Sequence, residues 1–467
     1  MSTNQSKQSS LIKYEWMFVA LAFIFGLMFV YQNPPFHSND EDRHFLKAYN
    51  VAHNGFYDEL SPDSTMIGGL LPKNLYTVVN QFQGFPYQNG KKMSQKMVDD
   101  LSKVPLNKKD SEFKHNRSYS TPFWAYLPHA ISIKLSGNAN PVNLGYAARI
   151  GGLMFYILCM FFIIRNTPVF KSIFMLFGLM PMTLYQASSV TYDTLLIVCT
   201  FAVLSMFLRY SLVDNVKFGF KQLIYLFILV FLIRTTKQGY FFLPFIMLLL
   251  PRNKLSSNLM YILILAVCIL GFFSLDLLNS TFNGELSSGL KKGYAFQKDF
   301  KFGLAERQSE MLGNITGTLG TLYQNILHFR QDWLSGILGK FGYSYSKMPQ
   351  IFYQLNGLVL IAVASLAGKS KYPINNTTKY IVSALGLLSC GIIIAGFYGF
   401  SPIGANMIFG LQGRYFLPMI PFVLLMFYNT KIEFAYWEKW GPLILGIYCF
   451  LMLGYTYGQM KVLFYAF

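Results

Sequence analysis

Residues 16–31 read WMFVALAFIFGLMFVY, and residues 32–45 continue QNPPFHSNDEDRHF. The first stretch is an unbroken apolar run without a charge. With Lys7 and Lys13 before it, it reads as a membrane-spanning helix whose amino end stays inside. A cleaved signal peptide needs a small-residue site after its apolar core. Here the run ends in GLMFVYQNPPFH, so the helix is read as retained. The second stretch is the opposite in character: acids, an arginine and two histidines just beyond the outer end.

Ten further apolar runs follow, at 146–164, 169–184, 191–210, 220–233, 240–250, 259–275, 351–366, 380–397, 415–428 and 441–457. With the first they make about 11 spans, within a range of about 9–13. Several are shorter than the roughly 20 residues of a straight span. Pro181, Pro244, Pro418 and Pro421 are expected to break or kink some of them.

Composition agrees. Of 467 residues, 53% are hydrophobic and only 13% charged, against about 25% charged in a soluble domain. Mean hydropathy is +0.36. These values exclude a soluble globular protein, a disordered chain and a small disulfide scaffold, and leave a polytopic membrane protein. The formal charge of +18 is read as basic residues flanking spans on the cytoplasmic side, not as a nucleic-acid surface. Cys159, Cys199, Cys268, Cys390 and Cys449 all lie in apolar runs and form no CxxC pair, so they read as small core residues.

Counting loop charges fixes the orientation. The amino terminus and the even turns carry 14 Lys and Arg, from Lys7 and Lys13 through Lys369 and Lys371 to Lys431 and Lys439. The short odd loops carry only Arg234, Lys237 and Arg414. This is positive-inside, with the amino terminus cytoplasmic. The expected fold is an all-α polytopic membrane protein. Its parts are a cytoplasmic amino terminus (1–15), a first span (16–32), an extracytoplasmic loop (33–145), a block of spans (146–275), a second extracytoplasmic loop (276–350) and carboxy-terminal spans (351–467). All six histidines fall in the two loops, and ten of the 21 acids lie between Asp40 and Glu112. Any chemistry is expected on that side.

Candidate groups follow. Ser38 and Glu41 have capping-box spacing. Asp40 and His44 are i,i+4 and Glu41 and His44 are i,i+3, so the three share one helix face and suit a general base or a cation site. The aromatics of 119–129, around Trp124 and His129, suit the headgroup layer or a groove for a sugar or lipid. Asp193 sits where two spans meet, costly unless solvated or paired. Arg234 and Lys237 either snorkel or hold a phosphate. Arg149 and Arg414, the latter beside Tyr415, are planar donors that suit phosphate or anchor the interface. There is no P-loop, dinucleotide glycine motif, HExxH, nucleophile elbow or repeat.

The segment NDEDRHFLKAYNVAHNGF resembles the Asp-Glu-x-x-His-x-x-x-Ala-Tyr element of a bacterial membrane family, domain of unknown function 2142. STPFWAYLPHAISIKL, AARIGGLMFY, PMTLYQASSVTYD, WLSGILGKFGY and GLQGRYFLPMIP resemble its later blocks, in the same order. Where the family has Pro and Ala before the histidine, this chain has Asp42 and Arg43. The resemblance implies membership of the GT-C glycosyltransferase clan. Such an enzyme of the bacterial cytoplasmic membrane moves a sugar from a polyprenyl-phosphate donor to a cell-envelope glycan or lipid-linked acceptor, on the outer face. By that resemblance Asp40 or Glu41 is the base. The phosphate falls to Arg414, Arg234 and Lys237, and Mn2+ or Mg2+ on Asp40 and Glu41 is compatible with the clan. The expected partners are the donor, the acceptor and membrane lipids, with no nucleic acid. The alternatives are a transporter or flippase for lipid-linked glycans, or a non-catalytic partner in envelope assembly. A transporter calls for inverted repeats or a charged mid-membrane path, and neither is visible.

Overall fold

The computed structural model describes residues 12–83, 85, 91–278, 304–342, 347–366, 371–432 and 436–466. Lys7, Lys369 and residues 279–303 and 343–346 of the second outward segment lie outside the described residues.

Helix α1 (Tyr14–Gln32) is the expected first apolar helix. Phe18, Ala22, Phe25 and Phe29 recur every three or four residues and are buried, whereas Phe23 and Ile24 are exposed. That stripe packs against α6 (Pro141–Asn166).

Between them lies the long polar segment expected to face outward. It holds α2 (Glu41–His53), β1 (Glu59–Leu60), β2 (Ile67–Pro72), α3 (Lys73–Phe82), α4 (Gln95–Leu101), β3 (Ser111–His115) and α5 (Leu127–Leu135). The strands form an antiparallel sheet in the order β1-β2-β3, with Leu70 opposite Phe113. The all-α expectation is corrected here, because a long polar segment between two apolar helices needs its own folded core. The sheet is tied to α2 through Asp58, which accepts from the buried Lys47, Asn50 and Asn116 side chains.

The bundle continues with α7 (Lys171–Gly178), α8 (Pro181–Ala187), α9 (Asp193–Leu212), α10 (Phe220–Thr236) and α11 (Leu259–Leu278). Then come α12 (Leu304–Gly313), α13 (Ile315–Leu338), α14 (Gln350–Leu366), α15 (Asn376–Gly399), the short α16 (Ile420–Leu424) and α17 (Trp437–Phe464). Among the described residues five helices are long and apolar enough to cross a membrane: Tyr14–Gln32, Pro141–Asn166, Asp193–Leu212, Asn376–Gly399 and Lys439–Phe464. Apart from α11, the remaining described apolar runs are shorter pieces. The prolines explain several of them: Pro181 separates α7 from α8, and Pro244 and Pro418 lie in the 3-10 segments Leu243–Leu249 and Gly413–Met419.

Between α11 and α14 the described residues are mainly helical. Helix α13 lies against Gly413–Met419. The two backbones touch at Gly336 and Gly413, where a Cβ on Gly413 would collide with the Trp333 carbonyl. The space a side chain would take at Gly413 is filled by α13.

Candidate functional site

Four stretches meet at one end of the bundle. They are the turn before α2 with the start of that helix, the segment joining α8 to α9, the turn after α10, and the segment entering Gly413–Met419. The turn before α2 is shaped by its contacts. Asp40 is its N-cap residue, with φ of 58°, in the left-handed region that non-glycine residues seldom adopt. The expected capping box is only half present. Ser38 N–H donates to Glu41 Oε2 at 3.1 Å, but the Ser38 hydroxyl does not cap the helix. It accepts from Asn33 Nδ2 at 2.8 Å and lies 2.5 Å from Ser189 Oγ.

Glu41 is fully buried, and so in effect is Arg149. Arg149 Nε and Nη2 donate to Glu41 Oε1 and Oε2 at 2.7 and 2.6 Å. Val190 N–H donates to Oε1 at 2.9 Å. The remaining Arg149 donors reach the carbonyls of Val30, Asn33 and Pro34. Burial alone would raise the Glu41 carboxyl, but the Arg149 charge and these hydrogen bonds outweigh it and hold it below the usual range. Neither side chain has capacity left for a substrate. This pair bolts the end of α1 and the start of α2 onto α6.

Asp40 turns elsewhere. Its carboxylate is 27% exposed, with Arg43 at 3.3 Å and Arg414 Nη2 at 3.6 Å. Arg414 Nη1 donates to Asp193 Oδ2 at 2.7 Å, Nε to Gln412 Oε1 at 2.8 Å, and Nη2 to the Tyr415 hydroxyl at 3.2 Å. Lys237 Nζ stands 3.4 Å from the centre of the Tyr415 ring and 5.6 Å from that of Tyr192. His44 lies alongside, its Nδ1 2.7 Å from the Tyr126 hydroxyl and its ring edge-on to Tyr192. Burial pushes the imidazole down to about 4, and the Asp40 and Asp193 charges only partly oppose this. The ring is therefore neutral at pH 7.

Asp40, His44, Asp193, Lys237, Arg414 and Tyr415 are thus one cluster. Arg234 is not in it: its Nε donates to Phe272 O at 3.0 Å and its guanidinium lies over the Phe241 and Phe272 rings. The metal expectation does not fit. Glu41 spends both oxygens on Arg149 and backbone amides, and Asp40 faces two arginines. Among the described residues no group of three or more His, Cys, Asp or Glu comes together to hold an ion.

A family model described as a predicted membrane protein, DUF2142, matches residues 23–423. The chain belongs to this family. No curated protein and no solved structure matches it. The match contains every block of the cluster, from Asp40 to Tyr415, so this DUF2142 member keeps its whole candidate site inside the family's region.

Sequence reasoning missed three partners. Tyr126 and His129 were read only within a stretch suited to the headgroup layer or to a groove for a sugar or lipid. Tyr126 is buried against His44, and His129 lies with Nδ1 2.8 Å from Ala148 O. Gln412 is the acceptor that steers Arg414. A lone carboxamide between Gly410 and Gly413 in an otherwise apolar block was the available signal.

Proposed function

We propose that this protein is a membrane glycosyltransferase of GT-C type. It moves a sugar from a polyprenyl-phosphate donor to an acceptor hydroxyl of a cell-envelope glycan or lipid-linked glycan. The site lies on the extracytoplasmic face of a bacterial inner membrane, with the amino terminus cytoplasmic. The reading rests above all on one observation. A part-exposed carboxylate, Asp40, shares a cluster with the Arg414 guanidinium and the Lys237 amine, at one end of an apolar bundle.

Asp40 serves as the base. It takes the proton of the acceptor hydroxyl as the oxygen attacks the anomeric carbon from the face opposite the phosphate. The bond from that carbon to the phosphate oxygen breaks, and the configuration inverts. The electron pair leaves with the lipid phosphate, whose charge Arg414 and Lys237 meet. Asp193 holds the guanidinium in place. A donor arriving through the bilayer needs no nucleotide-binding domain. Glu41 and Arg149 take no part beyond holding the frame.

The test is Asp40→Asn, which keeps shape and removes the base. Turnover should fall by roughly 10²–10⁴-fold at normal protein level. Cells carrying only this variant should accumulate a polyprenyl-phosphate sugar in lipid extracts. Wild-type turnover in Asp40→Asn would sink the assignment.

A further inference from the structure

Two neutral side chains at the cluster take part in none of the steps above. Asn39 and Gln412 are 373 residues apart in the chain, yet Asn39 Nδ2 donates to Gln412 Oε1. Gln412 Oε1 also accepts from Arg414 Nε, so that oxygen is saturated. Asn39 is only 2% exposed, and its Oδ1 is buried without a hydrogen-bond partner. Leaving a buried carbonyl oxygen unmet is costly, and such atoms call for an explanation. Gln412 is half-buried, and its Nε2 adds two donors beside that acceptor. Asn39 directly precedes Asp40, and Gln412 stands two residues before Arg414. The pair therefore adjoins both the base and the phosphate cation.

The chemistry of this pair selects its ligand. Both groups are uncharged, so neither competes for the phosphate. One offers an acceptor and the other donors, at neighbouring positions. Adjacent hydroxyls on a sugar ring, each able to donate and accept, match that pattern. Tyr192 contributes an aromatic face within the same cluster.

We infer that Asn39 and Gln412 form a carboxamide clamp for a glycosyl unit. Asn39 Oδ1 accepts from one hydroxyl, and Gln412 Nε2 donates to the next. The inference deepens the transferase reading and rests on it. It adds a specificity element, because a site that hydrogen-bonds a hydroxyl discriminates strongly against analogues lacking it.

Saturation-transfer NMR tests it, on the full-length protein in lauryl dimethylamine oxide, which carries no sugar. The probes are the methyl glycosides of glucose, mannose, galactose and rhamnose. At least one should receive saturation from wild type. The signal should drop at least about fivefold in Asn39→Leu and in Gln412→Met. Asn39→Ala replaces Asn39→Leu if the larger side chain prevents recovery of folded protein. Asp40→Asn should still bind the glycoside while losing turnover, which separates the two proposals. Unchanged turnover in Asp40→Asn sinks the transferase and leaves the clamp measurable. Absence of transfer to wild type from all four glycosides, or equal transfer in the clamp variants, overturns the clamp.

Discussion

Asp40 and Glu41 are consecutive acids, and each faces an arginine from a distant part of the chain. Glu41 meets Arg149 in a closed, two-pronged pair with 0% and 1% side-chain exposure. Asp40 meets Arg414 at 3.6 Å, shares it with Asp193, and keeps 27% exposure. The closed pair has spent every hydrogen-bonding valence on protein. The open cluster leaves Asp40 partly exposed and holds the Lys237 amine against the Tyr415 and Tyr192 rings. Burial of a charge is thus compatible with opposite duties, and the count of satisfied valences tells them apart.

The largest break is on the closed side. Arg149→Met leaves Glu41 buried without its counter-charge and frees three carbonyls. It should cost about 3–5 kcal/mol, seen as a large fall in recovered folded protein and in apparent melting temperature. If Arg149→Met folds normally but loses turnover, the two regions have been assigned the wrong way round.

Acid sharpens the contrast at His44. Its folded value of about 4 lies below the ordinary 6.5, so the unfolded state binds more protons between those values. Stability present above pH 6.5 is therefore lost as pH falls towards 4, by up to about 1.4 kcal/mol per pH unit. Melting curves across that window should be less pH-dependent in His44→Gln. An equal slope in wild type and variant would remove His44 from the account.

On the open side, Arg414→Lys keeps charge but loses the planar fork to Asp193 and Gln412. Donor use should weaken roughly 10–100-fold, about 1.4–2.7 kcal/mol, with near-normal recovery. A melting loss as large as that of Arg149→Met would make Arg414 a second bolt.

The smallest effect belongs to Ser38→Ala. It removes one hydroxyl from the Asn33–Ser38–Ser189 network rather than a helix cap. About 1 kcal/mol of stability is expected to go, with turnover unchanged. Lost turnover at full stability would place Ser38 in the site.

The residue types of the site were legible early, but their pairing was not. Spacing put Asp40, Glu41 and His44 on one helical face and gave them one role. The left-handed backbone at Asp40 turns its carboxylate to the cluster, while Glu41 points into the protein. Arg149, Arg234 and Arg414 looked alike as interfacial arginines. One is bolted to Glu41, one lies over phenylalanine rings, and one enters the cluster. The sheet between α2 and α5 was overlooked because β1 is only two residues long and β2, IGGLLP, carries no polar-apolar alternation to read.

The sequence by itself determined that this is a membrane protein and which family it joins, and set out where its polar residues collect. Those features follow from composition and local order, since an apolar run must be buried in lipid or protein wherever it lies. Only the tertiary structure decided which acid met which arginine, and that Asn39 met Gln412. Those choices depend on contacts across more than a hundred residues of chain, where a hydrogen bond's length and the number of valences left over decide what a side chain can do.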